Sequence, residues 1–327
     1  MITDTSKRIT AYIRTHKRAT AKELAEAMGI SPQALFRQLA KLQAKNRITK
    51  IGSPPKVFYL IREQKTGGKA DTLILDAATQ RTIDANYLII TPSGERKEGL
   101  DGFAYWCNKT GQPIGKTALE YVETLRKYAV HKKGGFIDGT RKLDSTFPRT
   151  HVHRLFYLDF YSIERFGKTK LGQLLLYAKQ SQNVALIKEI VALIQPSIER
   201  LIKKWKIDGV GFIPPTVKRE IQFMKQLQHH LRLKAGAIPI LKIKTEIIVP
   251  QKTLNKLGDR VENAQRTIVV NSNQPYKNIL LIDDAVGSGA TINETAAQLN
   301  AKGLCKGRII GFAITGSFKG FDVISEV

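Results

Sequence analysis

The sequence of 327 residues predicts an α/β protein in three parts: a small N-terminal module, a middle α+β region, and a C-terminal parallel sheet flanked by helices. Apolar residues recur at helical spacing over the first 45 residues, and two alternating runs follow them. From about residue 183 onward, apolar strands and helices alternate, which predicts a mainly parallel sheet. The boundaries that we expect are residues 1–62, 69–182 and 183–327, with a linker at 63–68.

The chain is strongly basic, with 53 Lys and Arg against 28 Asp and Glu and a formal net charge of +25. The excess is densest in residues 1–62, where 13 basic and 3 acidic side chains give +10. Such a surface collects polyanions, because each phosphate that a cation neutralises releases condensed counterions. Nucleic acid is therefore the partner that the charge favours.

The composition also excludes several classes of protein. A hydrophobic fraction of 42% is that of a globular chain. Two cysteines, Cys107 and Cys305, cannot form a disulfide framework and fit a reducing compartment. The first residues contain no apolar signal core, and no apolar run has the length of a membrane span. We expect a cytoplasmic protein with no membrane partner.

Three helices are predicted at the N-terminus, the first over residues 5–16. The second opens at Thr20, whose hydroxyl forms a capping box with the Glu23 carboxylate. It stops at Gly29, since glycine readily adopts the left-handed conformation that ends a helix. The third helix follows Ser31, a preferred N-cap residue.

The third helix has an apolar and a polar face. The side chains that we expect to be buried are Leu35, Phe36, Leu39 and Leu42. After this helix, residues 47–51 and 57–61 alternate like two strands around a turn at residues 52–56.

The spacing Ala25-x-x-x-Gly29 before a capped third helix resembles a helix-turn-helix, and the hairpin resembles the wing of a winged helix. This resemblance implies that the third helix enters the major groove of DNA and that a wing lysine meets a flanking phosphate. The candidate DNA-binding residues are Gln33, Arg37, Gln38, Lys41 and Lys45 on the helix, and Lys50 and Lys56 on the hairpin. Protein contacts or dimerisation through the same fold stay open as the alternative.

The middle region shows no catalytic signature. We predict strands at 72–75 and 87–90, a turn at 91–94, a helix at 116–130, and helical structure over 170–205. The apolar pattern of the helix at 116–130 runs through Leu119, Val122 and Leu125. The pair His151-x-His153 has no third ligand at a metal-binding spacing, so we predict no metal site. The aromatic residues of 156–166 have two interpretations, a stacking platform for bases or a domain core with a basic rim, and we favour the core.

The most informative stretch is Asn278–Thr291, which reads NILLIDDAVGSGAT. Four apolar residues form a predicted strand that ends at the acidic pair Asp283 and Asp284. A loop of small residues, 285–291, then leads into a predicted helix at 292–299. The other elements that we predict in this part are a strand at 210–213, a helix at 217–231 and a strand at 308–314.

This pattern is typical of a site for a phosphorylated sugar. Glycines let the backbone approach an anion closely, and the helix N-terminus presents N–H groups to it. Ser288 and Thr291 can add hydroxyl donors, and the two aspartates can accept from ribose hydroxyls. The loop is no Walker A motif, because no Gly-Lys-Ser/Thr closes it, and no Rossmann fingerprint, because the acids precede the glycines.

The same stretch resembles the phosphoribosyl-pyrophosphate (PRPP) motif of type I phosphoribosyltransferases, with Ser288 in place of the commoner Thr. Three pieces of residues 183–327 together resemble the ComF family of such proteins: a strand, prolines and Lys218-Arg219; residues 251–254 leading to Arg260; and the PRPP loop. The residues that this resemblance places against PRPP are Asp283, Asp284, Ala285, Val286, Gly287, Ser288, Gly289, Ala290 and Thr291.

The resemblance implies a Mg²⁺-dependent pentosyl transfer. The 5-phosphate of PRPP would lie on the N–H groups of residues 287–291, with Mg²⁺ bridging pyrophosphate and ribose hydroxyls. Asp283 and Asp284 would orient the ribose and tolerate positive charge at the anomeric carbon. Lys218, Arg219 or Arg260 would cover the pyrophosphate.

Three functions fit these expectations. The first is a DNA-binding regulator or effector controlled by PRPP or a nucleotide, an arrangement similar to that of the purine repressors of Gram-positive bacteria. The second is an active transferase or nucleotide-processing toxin, as in retron-type anti-phage systems, localised or inhibited through its winged helix. The third is a ComF-like accessory protein in DNA uptake or processing. A homodimer is plausible for all three, because winged helices usually read paired half-sites.

Overall fold

The computed structural model describes residues 4–53, 56–62, 75–215, 217, 219–243, 249, 253–254 and 256–317. The chain divides into two compact units, Met1–Leu73 and Ile74–Val327, and each is described by itself.

The first unit has three helices followed by an antiparallel hairpin. Its elements are α1 (Asp4–His16), α2 (Ala21–Met28), α3 (Pro32–Ala44), β1 (Ile48–Ser53) and β2 (Lys56–Ile61). The predicted capping box is confirmed, since the Thr20 hydroxyl accepts from the Glu23 N–H and the Glu23 carboxylate accepts from the Thr20 N–H. Gly29 ends α2 at a φ of 64°, and Ser31 caps α3. The predicted helix-turn-helix is therefore present.

The hairpin packs onto the helices as a wing. Ile48 pairs with Ile61 and Ser53 with Lys56, and Pro54 and Pro55 of the predicted turn lie outside the described residues. A bridge between Ala19 and Tyr59 ties the chain before α2 to β2. The apolar core of the unit consists of Ile9, Ile13, Ala19, Leu24, Met28, Leu35, Leu39, Leu42, Ile48 and Tyr59.

The expectation that Phe36 is buried is wrong, because its side chain is 52% exposed. The core positions of α3 are Leu35, Leu39 and Leu42, which follow one another at four and three residues and so share one face. Phe36 lies one residue after Leu35, about 100° around the helix, and faces away from that core.

The second unit begins with a helical region and continues into a sheet with helices on both faces. Its helices are α4 (Ala77–Asn86), α5 (Gly99–Thr110), α6 (Ile114–Ala129), α7 (Thr140–Thr146), α8 (Lys170–Gln180), α9 (Val184–Trp205), α10 (Phe223–Leu231), α11 (Leu257–Thr267) and α12 (Ala290–Ala301), with a 3-10 turn at Glu164–Phe166. Its strands are β3 (Leu88–Ile90), β4 (Arg96–Glu98), β5 (Lys132–Lys133), β6 (Phe136–Asp138), β7 (Arg154–Phe160), β8 (Ser162–Ile163), β9 (Gly167–Lys168), β10 (Gly209–Phe212), β11 (Gly236–Ile238), β12 (Ile240–Lys242), β13 (Ile268–Val270), β14 (Ile279–Val286) and β15 (Ile309–Gly316).

Within the described residues the main sheet has seven strands in the order β11-β10-β14-β15-β7-β6-β5. The five strands from β11 to β7 are parallel, and β6 and β5 extend one edge in antiparallel fashion. Alternate residues of β14 belong to two apolar clusters, Ile279 and Leu281 to one and Leu280 and Ile282 to the other. The two faces of the sheet are therefore both buried, as the predicted parallel sheet requires.

The sheet takes strands from both sides of residue 183, where the sequence predicted a boundary. β7 comes from residues before it, and α8 and α9 on either side of it contribute to one apolar cluster. Most of the aromatic residues of 156–166 are buried, as the core interpretation predicted. The predicted strand at 72–75 lies outside the described residues except for Leu75.

Two predicted details are wrong. The helix expected from residue 217 begins only at Phe223, because Ile221 donates its N–H to the Gln182 side chain and this anchors the preceding segment outside a helix. Leu119, expected to face inward from α6, is 59% exposed, since the buried face of α6 is formed by Ala118, Tyr121 and Val122. The predicted strands at 87–90, 210–213, 279–282 and 308–314 are confirmed in position.

Among the described helices, none combines the length and apolar character that crossing a membrane requires.

Close packing at the start of α8 yields a stability prediction. A methyl group at Gly172 would overlap the backbone carbonyl oxygen of Tyr161, which lies between β7 and β8 and is held in place because it accepts from the Thr169 N–H. We expect Gly172→Ala to lower the free energy of unfolding by about 1–3 kcal/mol in urea denaturation. Gly258 in α11 has no atom within 4 Å of the same position, so Gly258→Ala should stabilise the protein by up to about 1 kcal/mol. Equal effects of the two substitutions would contradict the packing.

Candidate functional site

The parallel sheet has a topological switch point between β10 and β14. These strands are neighbours, and the chain continues from β10 outward to β11 but from β14 to β15 on the other side. Ligands of open parallel sheets bind outside the carboxyl ends of the strands at such a point. The carboxyl end of β14 contains the acidic pair and leads into the glycine loop, so the predicted site residues lie where the topology opens a crevice.

Asp283 and Asp284 are successive residues of β14 and therefore point to opposite faces of the sheet. Both are half-buried, and the Asp284 N–H donates to Asp283 Oδ1 at 2.8 Å. β14 continues beyond them to Val286, whose carbonyl accepts from the Ser317 N–H at 3.1 Å. The acids are thus fixed in a strand rather than in a loose turn.

On one face, Asp284 forms an ion pair with Lys179 from the last turn of α8. Asp284 Oδ2 and Lys179 Nζ are 2.7 Å apart, and the two side chains are only 15% and 12% exposed. Arg219 Nη1 donates to the Lys179 carbonyl at 2.9 Å. Arg219, predicted to cover a pyrophosphate, therefore lies at the end of α8 beside this ion pair.

On the other face, Asp283 lies near Lys242 of β12. Burial, followed by the charge of Asp284, raises the pKa of Asp283 to about 8, although Lys179 and Lys242 oppose this change. Burial lowers the pKa of Lys242 to about 8, and the charge of Asp283 opposes that change. Lys242 Nζ donates to Asn263 Oδ1 at 3.3 Å. The site therefore holds an acid and a base whose charged forms are both disfavoured by burial.

The glycine loop is shaped by its neighbours. Gly289 has a φ of 82° and is the N-cap residue of α12, and Leu143 Cδ1 occupies the space that a methyl group there would need. The Ser288 side chain is buried, and its hydroxyl accepts from the Ala290 N–H at 3.4 Å. The position of a methyl group on Gly287 lies 3.5 Å from Arg260 Nη1. The guanidinium therefore lies directly beside the loop.

The Arg260 side chain is buried and fixed by a hydrogen bond to the backbone. Its side chain is 7% exposed, and its Nε donates to the Leu254 carbonyl at 2.7 Å. Burial lowers its pKa, yet a guanidinium remains charged at any physiological pH. Arg260 thus brings a fixed, largely desolvated positive charge to the loop.

The structure brings together most of the residues that the sequence singled out. Asp283, Asp284, Arg260 and residues 285–291 surround the end of β14, and Arg219 joins them through the end of α8. Lys218 lies outside the described residues.

Sequence reasoning missed Lys179 and Lys242. For Lys242 a signal exists, because Ile238 and Ile240 point inward and the next inward position at a spacing of two is the lysine. A lysine at an apolar position of a strand predicts a buried positive charge that is paired with another group of the protein.

The second candidate surface is the exposed face of α3 and the wing. Gln33, Arg37, Lys41, Lys45 and Lys50 are exposed, as predicted. Gln38 is half-buried, because its Oε1 accepts from the Ser6 hydroxyl of α1 at 2.8 Å, and the side chain of Lys56 lies outside the described residues. Phe36, which the sequence analysis expected to be buried, is an exposed aromatic side chain among the cations of α3.

Comparison with known proteins supports this second surface alone. Residues 2–49 match the family model for the winged helix-turn-helix DNA-binding domain, and the structure adds the wing beyond them. No curated protein matches the chain. The N-terminal unit is therefore a winged helix-turn-helix of the DNA-binding type.

The neutral form of Asp283 makes stability depend on pH. The pKa of Asp283 is about 8 in the folded protein against 3.8 for the ordinary group, so between about pH 4 and pH 8 the folded state retains a proton that the unfolded state has lost. Its contribution to the free energy of unfolding is full below pH 4 and falls as the pH rises to about 8, by at most about 1.4 kcal/mol per pH unit. Lys242 has a pKa of about 8 and begins to lose its proton only at the upper end of this window.

Asp283→Asn removes this titration but keeps a neutral side chain of the same shape. We expect the free energy of unfolding of the variant, relative to the wild type, to increase from pH 5 to pH 7.5 in urea denaturation. A difference between the two proteins that is the same at both pH values would show that Asp283 is already ionised at pH 5.

Proposed function

We propose that this protein is a DNA-binding regulator or effector whose second unit binds PRPP or a related phosphoribosyl nucleotide. The observation that supports the proposal most is the position of the acidic pair and the glycine loop at the switch point of the sheet. The winged helix supports the DNA-binding part of the proposal, because its third helix, α3, exposes a row of basic and polar side chains.

The proposed ligand matches the site group by group. A 5-phosphate would lie on the N–H groups of residues 287–291 at the start of α12, where the helix dipole favours an anion. Asp283 and Asp284 would accept from ribose hydroxyls, and a hydroxyl that donates to Asp283 would favour its ionised form. Arg260 beside Gly287, together with Arg219, would neutralise the pyrophosphate.

The chain itself offers few ligands for the magnesium ion that the resemblance implies. Over the part of the chain that the structure describes, no three His, Cys, Asp or Glu side chains form a metal-binding group. A magnesium ion that accompanies PRPP would withdraw negative charge from the pyrophosphate leaving group. The residues present fit this role, because Asp283 and Asp284 offer carboxylate oxygens next to the position proposed for the ribose.

The same site is compatible with catalysis, which is the second candidate function. Carboxylates near the anomeric carbon would stabilise its developing positive charge, and Arg260 would stabilise the departing pyrophosphate. The ion pair between Asp284 and Lys179 would have to open for either function, because a ribose hydroxyl and Lys179 compete for the same carboxylate. A sensor and an active transferase, a toxin of anti-phage type or a ComF-like accessory protein therefore differ in whether pyrophosphate is released after PRPP has bound.

A dimer is part of the proposal for the DNA-binding function. Winged helices commonly bind paired half-sites, and a two-fold dimer presents two recognition helices one helical turn apart. We therefore propose an operator with two half-sites, to be read by two copies of this chain.

Loss of the acidic pair tests the PRPP site. We expect the double substitution Asp283→Asn and Asp284→Asn to weaken binding of PRPP with Mg²⁺ at least a hundredfold in titration calorimetry, because both hydroxyl acceptors lose their charge. The control replaces two exposed acids of the same unit, Glu123→Gln and Glu199→Gln, and should bind as the wild type does. Unchanged affinity in the Asp283 and Asp284 variant would exclude the proposed site.

The recognition helix is tested with duplex DNA. We expect Arg37→Ala with Lys41→Ala to weaken binding to a mixed-sequence duplex and to reduce the slope of log K against log salt by about 2, because two phosphate or base contacts are lost. Arg14→Ala with Lys22→Ala removes the same charge from α1 and α2. If this control loses as much DNA affinity as the α3 variant, the loss follows from the overall charge and not from docking of α3 on the DNA.

A further inference from the structure

The amino-terminal edge of the parallel sheet, opposite the candidate PRPP site, has a strongly basic surface. It forms where the chain enters the strands β10, β14, β15 and β7. The exposed cations at these entries are Lys203 and Lys204 in the last turn of α9, Lys206 after its end, Lys277 before β14, Lys306 and Arg308 before β15, and Arg154 at the start of β7. We call this set the basic edge.

Few acids offset the basic edge. Within the described residues, Lys203, Lys204, Lys206, Lys277, Lys306 and Arg308 form no ion pair, and Arg154 pairs with Asp138 at 3.3 Å. Asp208, which is nearby in sequence, accepts from the N–H groups of Lys277 and Asn278. The surface therefore retains a local excess of positive charge, which raises the concentration of polyanions around it.

A cleft of about 390 Å³ opens between the entries of β7 and β15, next to these cations. Its polar lining includes His151, His153, Arg308, Asp144 and Thr150. The backbone around the cleft is fixed, because the His153 N–H donates to the Ile309 carbonyl at 2.7 Å and the His151 N–H donates to Asn293 Oδ1 at 2.8 Å. A cleft of this volume accommodates a single small-molecule-sized group, such as one nucleotide.

Trp205 positions the charges at the mouth of the cleft. The guanidinium carbon of Arg308 lies 5.6 Å from the centre of the Trp205 ring, and Lys204 Nζ lies 5.8 Å from it. The His153 ring meets the same indole edge to face at 5.5 Å. Cations stacked on an aromatic ring are held in place without losing their charge. Burial, and then the charges of Arg308 and Arg154, lower the pKa of His153, so a neutral imidazole offers one donor and one acceptor there.

We propose that the basic edge binds single-stranded nucleic acid, with one nucleotide in the cleft and the cations on the neighbouring phosphates. Single strands are favoured over duplexes because the cleft has the volume for one nucleotide, and only an unpaired base is free to enter it. Its donors and acceptors suit a phosphate beside Arg308 and His153, and a base edge beside Asp144 and Thr150. This surface is independent of the winged helix and of the PRPP site.

Charge reversal on the basic edge tests the proposal in the full-length protein. Lys204→Glu with Arg308→Glu should weaken binding of a fluorescein-labelled (dT)20 at least tenfold in anisotropy titrations and reduce its salt slope by about 1.4, which corresponds to two lost contacts on a single strand. Binding of duplex DNA through α3 should change far less. The control, Lys109→Glu with Lys116→Glu, alters the net charge equally at exposed positions of α5 and α6 and should keep the (dT)20 affinity.

Three results would overturn the proposal. The first is a basic-edge variant that binds (dT)20 as the wild type does, with thermal melting confirming that both are folded. The second is an equal loss in the control, which would assign the effect to net charge. The third is a variant that binds adenosine monophosphate more weakly but (dT)20 unchanged, which would make the cleft a site for a free nucleotide.

Discussion

The arrangement of the second unit depends on two adjacent carboxylates buried at the carboxyl end of β14. Successive strand residues point to opposite faces, so Asp283 and Asp284 cannot share one counter-ion. Lys179 of α8 pairs with Asp284 on one face, and Lys242 of β12 lies near Asp283 on the other. A buried carboxylate without a cation is expensive, so Asp284 is paired with Lys179, whereas Asp283, despite the nearby Lys242, keeps its proton up to about pH 8.

The pair also connects the proposed ligand to the rest of the unit. A ligand hydroxyl that donates to Asp284 competes with Lys179, whose carbonyl in turn accepts from Arg219. A ligand hydroxyl that donates to Asp283 would favour the ionised form of this side chain, whose pKa burial raises to about 8. Binding at the loop would therefore alter contacts at the end of α8 and at β12, on opposite faces of the sheet. Such a site suits a sensor as well as an enzyme.

Sequence patterns predicted the local elements well because local chemistry determines them. The capping box at Thr20, the turn at Gly29 and the strand before Asp283 each follow from residues within a few positions of one another. Phe36 was wrongly expected to be buried, because helical spacing locates the apolar face of a helix only to within one residue. Leu119 was misplaced for the same reason.

The rest of the site depends on contacts between residues far apart in the chain. Lys179 lies 105 residues before Asp284, and its pairing follows from the packing of α8 against the sheet. Leu143, which fixes the conformation around Gly289, comes from a helix that precedes the loop by almost 150 residues. The inclusion of β7 in the main sheet likewise depends on the order of the strands, and a pattern of alternating apolar residues does not determine that order.

The most direct test of the PRPP site is phosphorus NMR of the full-length protein with PRPP and Mg²⁺, compared with Asp283→Asn. We expect the 5-phosphate and pyrophosphate signals to broaden or shift with the wild type and to remain sharp with the variant. Faster release of pyrophosphate by the wild type, on addition of a pool of nucleobases, would identify a transferase. Signals that are identical for wild type, variant and buffer would contradict the central claim that the loop after β14 binds PRPP.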